Sequence, residues 1–289
     1  MIGYYYFLSS AVSPNGSAVV VDDYSSGSVR GSSVSESRSV LTSNNGKASK
    51  TVVGYAITVS GCPKEGSRGD FGAGISDGAA VLKHSIHLNS IQNPHSESSY
   101  DYKMFALVHP EAESCARSAL EPLGYAILIR DVPVPLNEIE GEYLREKVPA
   151  NGCCGEKEFV KLHAYTLVQH PVVVHLDLDT LVMKPMDKLY DAMIDGPPND
   201  GSSGGIDVAF GDPLVSPAAA PGGQINAYFT RDYNMAHPSM KHAGAQGGFL
   251  VLRPSIDVYN EFVAIIRKGD FRKNGGWGGM GFGPFYGVS

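Results

Sequence analysis

Asp177 and Asp179, with Leu178 between them, are the residues whose type and spacing could do chemistry. They follow Val172, Val173, Val174, His175 and Leu176. Three valines in a row with no helical spacing read as a buried strand. Side chains two apart on extended backbone point the same way. The spacing therefore predicts two carboxylates on one side of a strand end, with Leu178 on the other. Two acids so close repel each other, and a divalent cation cancels the repulsion. Ligands that are all oxygen suit manganese or magnesium. The plain alternative is an Asp-rich turn that caps whatever follows.

The elements that must position this pair come from both sides of it. Residues 156–169, EKEFVKLHAYTLVQ, read as a helix that buries Phe159, Leu162, Thr166 and Leu167 and runs through His170 and Pro171 into the valine strand. Lys161 on that helix could face phosphates, or be an ordinary solvated lysine. Upstream, residues 51–60 form a strand. Residues 75–88 form a helix with Ile75, Ala79, Leu82 and Ile86 as its apolar stripe, and His84 and His87 beside that stripe read as surface or packing residues. A strand at 102–108, a helix at 112–123 and a strand at 125–129 continue the alternation. Downstream come a Pro-, Gly-, Ser- and Ala-rich loop at 196–223, a short strand-like piece at 225–231 and a buried strand at 246–253. An amphipathic helix follows at 256–267, with Tyr259, Phe262 and Ile266 on one side. Strands and helices taking turns predict an α/β fold with a mostly parallel central sheet flanked by helices. Open sheets of this kind bind ligands beyond the carboxyl ends of their strands. Gly247 and Gly248 introduce the later strand; they leave room for a ligand beside the backbone or relieve crowding in the sheet.

Composition excludes some classes of partner. The chain has 289 residues, 43% of them hydrophobic, a net charge of -7 and a pI of about 5.7. Its 23 lysines and arginines form no basic cluster, which argues against a nucleic-acid surface. The four cysteines, Cys62, Cys115, Cys153 and Cys154, make no zinc-site pattern and leave one or two disulfides open. No segment has the apolar length of a membrane span. Residues 1–50 read as a flexible Ser- and Gly-rich leader, and 51–289 as a single domain. The loop 61–74 carries neither a dinucleotide fingerprint nor a Gly-Lys-Ser or Gly-Lys-Thr end, and its Arg68-Gly69-Asp70 reads as a solvated turn.

As an ordered set, KLHAYTL (161–167), VVVHLDLDTLVMKPMDKLYD (172–191) and QGGFLVLRPS (246–255) resemble the core of glycosyltransferase family 8, the group of glycogenin, galactinol synthase and the plant xylan glucuronosyltransferases. YFTRDYNM (228–235) and the glycine-aromatic tail resemble a microbial and algal branch of that family. The resemblance covers roughly residue 53 to the C-terminus. It implies a GT-A fold of the nucleotide-diphospho-sugar transferase type. The implied reaction is retaining transfer of a glycosyl unit from a UDP-sugar to a hydroxyl of a carbohydrate, polyol or glycoprotein acceptor. Manganese, or magnesium in its place, would be held by Asp177 and Asp179. Lys161, Asp177, Leu178, Asp179, Gly247 and Gly248 would line the donor, and Asp232 would lie near the transferred sugar.

The chain departs from the family pattern where relatives carry Asn-Ser-Gly in the later strand, and again toward its C-terminus, where their late Gln is also missing. Relatives carry a C-terminal segment resembling His-x-x-Gly-x-x-Lys-Pro-Trp that supplies a third metal ligand, and no such segment occurs here. The expectation is a C-terminally truncated domain, with His242 a poor substitute ligand. This departure keeps a second function in view, a degenerate, non-catalytic sugar-nucleotide or carbohydrate-binding domain. A nucleotidyltransferase ranks lower, because 61–74 has Lys64 and Arg68 at the wrong spacing for its basic loop. The family places such chains in the Golgi lumen or membrane, with any anchor upstream of residue 1, or in the cytoplasm.

Overall fold

The computed structural model describes residues 8–12, 18–22, 50–62, 71–150, 154–196, 225–231 and 245–269. In the leader region two short strands, β1 (Leu8–Val12) and β2 (Ala18–Asp22), pair antiparallel. They lie within the span read above as a leader; the rest of residues 1–49 falls outside the described residues.

The main body is a mixed α/β fold around a six-stranded sheet. Its strands are β3 (Val52–Val59), β4 (Asp101–Val108), β5 (Ala126–Ile129), β6 (Val173–Leu176), β7 (Ala227–Arg231) and β8 (Ala245–Leu252), in the order β5-β4-β3-β6-β8-β7. The first four of that order run parallel, as the alternation predicts. β8 enters antiparallel between β6 and β7, so the sheet is mostly parallel with one reversed strand.

Alternation along β3 explains the layers. Val53, Tyr55, Ile57 and Val59 face one core, shared with Ala79, Leu82 and Ile86 of α1 (Phe71–Leu88), Ala116 and Leu120 of α2 (Glu113–Leu120), and Tyr190 and Met193 of α4 (Asp187–Ile194). Ala56 faces the other core, with Phe105, Leu107, Val173, Leu250 and Leu252. α3 (Glu142–Lys147) contributes Leu144 there and α5 (Ile256–Lys268) contributes Ile266. Burying a side chain such as Leu82 or Ile86 contributes about 1.5–3 kcal/mol. Both ends of α5 are capped: the Ser255 hydroxyl accepts from the Val258 N–H, and Gly269, at φ 59°, donates its N–H to the Ile265 carbonyl.

Residues 156–169 behave differently from the expected α-helix. The chain forms a run of 3-10 turns over Gly155–Thr166. It begins at Gly155, whose φ of 57° and whose approach to the Pro149 carbonyl both call for a glycine. A period of three stacks residues i and i+3 directly above each other. Phe159, Leu162 and Tyr165 form one buried column, and Lys161 comes to stand over Glu158. Thr166, expected in the buried face, is only half-buried and turns its hydroxyl back to the His163 carbonyl. β3 is thin where β6 and the residues leading into it pack against it. A Cβ on Gly54 would meet Val173 and the His170 ring at 3.1–3.3 Å.

The carboxyl end of the sheet is tied in two places. Cys62, just past β3, is disulfide-bonded to Cys115 of α2. Lys157 forms an ion pair with Glu111, in the turn after β4, at 2.5 Å. Among the described residues no helix is long and apolar enough to cross a membrane.

Candidate ligand site at the carboxyl end of β6

β6 stops at Leu176, one residue before the acid pair. The Asp177 N–H continues the ladder by donating to the Gly248 carbonyl at 3.0 Å, and the Thr180 N–H donates to the Asp177 carbonyl at 3.2 Å. Asp177 to Thr180 is therefore a turn. The strand assignment ends at Leu176, so both acids stand in the turn that leaves β6 rather than on the strand itself. Leu178 does go to the opposite side, against the core shared with α1, where its carbonyl lies close to Gly78. The exit from the turn is clamped to α1: the Val182 N–H donates to Ser85 Oγ, and Asn89 Nδ2 donates to the Val182 carbonyl.

Asp177 meets Lys161. The ammonium stands 3.1 Å from Asp177 Oδ1 and 2.8 Å from Glu158 Oε2, one cation between two carboxylates. The Lys161 side chain is 10% exposed, that of Glu158 24% and that of Asp177 40%, so the group opens to solvent on the Asp177 side. Burial works to lower the Lys161 pKa, but the charges of Asp177 and Glu158 outweigh it and hold the ammonium above its ordinary value. Burial pushes the Asp177 carboxyl up; Lys161 opposes that shift, and Glu158 and Asp179 reinforce it. Asp179 is exposed, and its charge still reaches Asp177.

Beneath the turn lies His175, fully buried. Its Nε2 shares a hydrogen bond of 2.8 Å with Thr58 Oγ1 of β3, and its Nδ1 is buried without a hydrogen-bond partner. Burial first, and the Lys161 charge second, hold this imidazole neutral, well below the ordinary histidine range. The pair ties the carboxyl ends of β3 and β6 together under the acid turn.

The remaining expected site residues are placed as follows. Gly247 and Gly248 are buried in β8, where the pairing with β7 jumps from Phe229↔Leu250 to Thr230↔Gln246. They occupy a bulge, a position where glycine relieves the ladder. Asp232 and His242 lie outside the described residues. Sequence reasoning missed Glu158, Thr58 and His175. A histidine inside a valine strand was the available signal for the last. Glu158 three residues before Lys161 was a readable pair on either helix type.

Among the described residues, no group of three or more His, Cys, Asp or Glu side chains could hold a metal ion. Asp177 and Asp179 supply two carboxylates, and Asp177 already carries the Lys161 ammonium.

No family model and no curated protein matches the chain. Among solved structures it has a distant, partial likeness to the apo form of the WbbM bifunctional glycosyltransferase, with 14% identity and a TM-score of 0.36 over 77% of this chain and 35% of that one. The chain thus spans about a third of the length of that enzyme, and a likeness of this depth carries no argument about what the chain does.

Proposed function

We propose that this chain is a non-catalytic domain that binds a sugar nucleotide or the sugar of a carbohydrate at the carboxyl end of β6. One observation carries the reading: Lys161 is held between Glu158 and Asp177 at that end of the sheet. The carboxylates accept hydrogen bonds from sugar hydroxyls and the ammonium donates. Parallel sheets present such crevices beyond their carboxyl ends. The ammonium offsets part of the Asp177 charge. The Cys62–Cys115 disulfide accords with an oxidising, lumenal compartment rather than the cytoplasm.

The test is calorimetric titration with UDP-glucose and with neutral oligosaccharides, paired with an assay for UDP release. The expected result is saturable binding with no UDP released, with or without manganese. Manganese-dependent UDP release overturns the non-catalytic reading.

That outcome would favour a second function, a retaining family 8 glycosyltransferase of GT-A fold that uses manganese or magnesium with a UDP-sugar donor. The charge coupling between Asp177 and Asp179 speaks for it. Under that reading Asp179→Ala abolishes metal-dependent UDP binding and leaves the fold intact. Unchanged affinity in the variant would remove the metal assignment.

A further inference from the structure

Glu158 lies outside the acid pair and belongs to a different element, yet it grips the same ammonium. In the run of 3-10 turns it stands one turn before Lys161, and its carboxylate is closer to Nζ than that of Asp177, 2.8 Å against 3.1 Å. Lysine is the cation that could attract phosphate here, and two carboxylates already neutralise it. Glu158, Lys161, Asp177 and Asp179 together carry a formal charge of two negative units, three carboxylates against one ammonium. Burial strengthens the effect, because charges screened less by water act over longer range.

We infer that Glu158 sets the ligand class of this site, turning it toward the uncharged, hydroxyl-bearing part of a carbohydrate and away from bare phosphate. The inference rests on the proposed binding function and sharpens it. A sugar hydroxyl can donate to Asp177 or Glu158 and accept from Lys161 without adding charge. A pyrophosphate must compete with both carboxylates for the same ammonium. Replacing Glu158 by glutamine keeps the shape of the side chain, removes one negative charge beside Nζ and leaves Asp177 in place as a partner for Lys161.

The experiment titrates wild type, Glu158→Gln and Glu158→Asp with pyrophosphate, UDP, UDP-glucose and maltotriose. It is run in EDTA so that no divalent cation bridges phosphate to acid, and circular dichroism confirms that each variant is folded. A charge of one unit at about 6 Å in a partly buried setting corresponds to an effect on the order of tenfold. The expected result is that Glu158→Gln binds pyrophosphate and UDP at least about tenfold more tightly than wild type, while maltotriose, which loses a charged acceptor, binds no more tightly than to wild type. Glu158→Asp, which keeps the charge, should return toward wild type. A merely structural role would shift all four probes together.

Equal anion affinity in wild type and Glu158→Gln overturns the inference while leaving the binding function standing if UDP-glucose or maltotriose still binds. A gain that is the same for maltotriose as for pyrophosphate also overturns it. Failure of every probe with all three proteins sinks the binding function, and the inference with it.

Discussion

Lys161 Nζ lies 3.1 Å from Asp177 Oδ1, joining a 3-10 segment to the turn that ends β6, although the two residues are sixteen positions apart in the chain. A buried ion pair is weak evidence for stability, but removing one partner strands the other. Lys161→Met should leave Glu158 and Asp177 without their shared cation. The expected loss is about 1–3 kcal/mol, below the range for fully buried pairs because Asp177 is partly solvated. The urea midpoint reads it, and adding Asp177→Asn to Lys161→Met should recover part of the loss. No recovery would mean that the cost comes from packing of the lysine stem instead.

His175 predicts a pH dependence with a definite sign. Its native pKa is depressed well below the ordinary value of 6.5, so the unfolded chain takes up a proton first as pH falls. The contribution of the neutral ring is present above 6.5 and is lost as pH drops below it toward the native value. One such group changes stability by at most about 1.4 kcal/mol per pH unit. Denaturation curves for wild type should therefore steepen in their pH dependence below 6.5 relative to His175→Asn. Parallel curves for the two proteins would show that His175 charges freely in the native state.

Tyr55 and Tyr190 are both buried, and their hydroxyls share a hydrogen bond of 2.6 Å between β3 and α4. Desolvation raises both phenol pKa values, so the pair stays neutral across the working range. Tyr190→Phe orphans the Tyr55 hydroxyl and should cost about 1–3 kcal/mol. Tyr55→Phe with Tyr190→Phe should cost less than the sum of the single changes, since two apolar rings leave nothing unsatisfied. Thermal unfolding of the four proteins closes the cycle, and strict additivity would rule out the coupling.

The Cys62–Cys115 bond closes a loop with a sequence separation of 53. Chain entropy for a loop of that length gives about 4 kcal/mol as an upper figure, with 2–4 typical. Cys62→Ser with Cys115→Ser should therefore unfold at lower denaturant by an amount in that range. Tris(2-carboxyethyl)phosphine should lower the midpoint of wild type by more than that of the double variant, which keeps the disulfide at Cys154. Equal midpoints for oxidised wild type and the double variant would show that the bond adds nothing.

Much of the fold was legible in the chain. Near-continuous apolar runs marked β3, the second half of β4 and β6, because strands covered on both faces need little polar alternation. A 3.6-residue stripe marked α1 and α5, and the Ser255 and Gly269 caps sit where the chemistry of helix ends requires. These signals are local, fixed by backbone sterics and by the side chains that the next few residues carry. The acid pair was equally visible, since Asp177 and Asp179 follow an apolar strand, and the Asp-rich turn that the sequence also allowed is the form it takes.

What lay beyond the sequence depends on residues distant in the chain. The direction of β8 is decided by its pairing with β6 and β7, not by QGGFLVL itself. The period of residues 155–166 is three, not 3.6, in a segment that buries residues on more than one side; an apolar stripe therefore misplaces Thr166. Ending β6 at Leu176 turns two acids on a strand into two acids on a turn. Cation placement among those acids is a tertiary matter, because a charge takes its partner from whatever element packing brings within a few ångströms, and here that partner is Lys161.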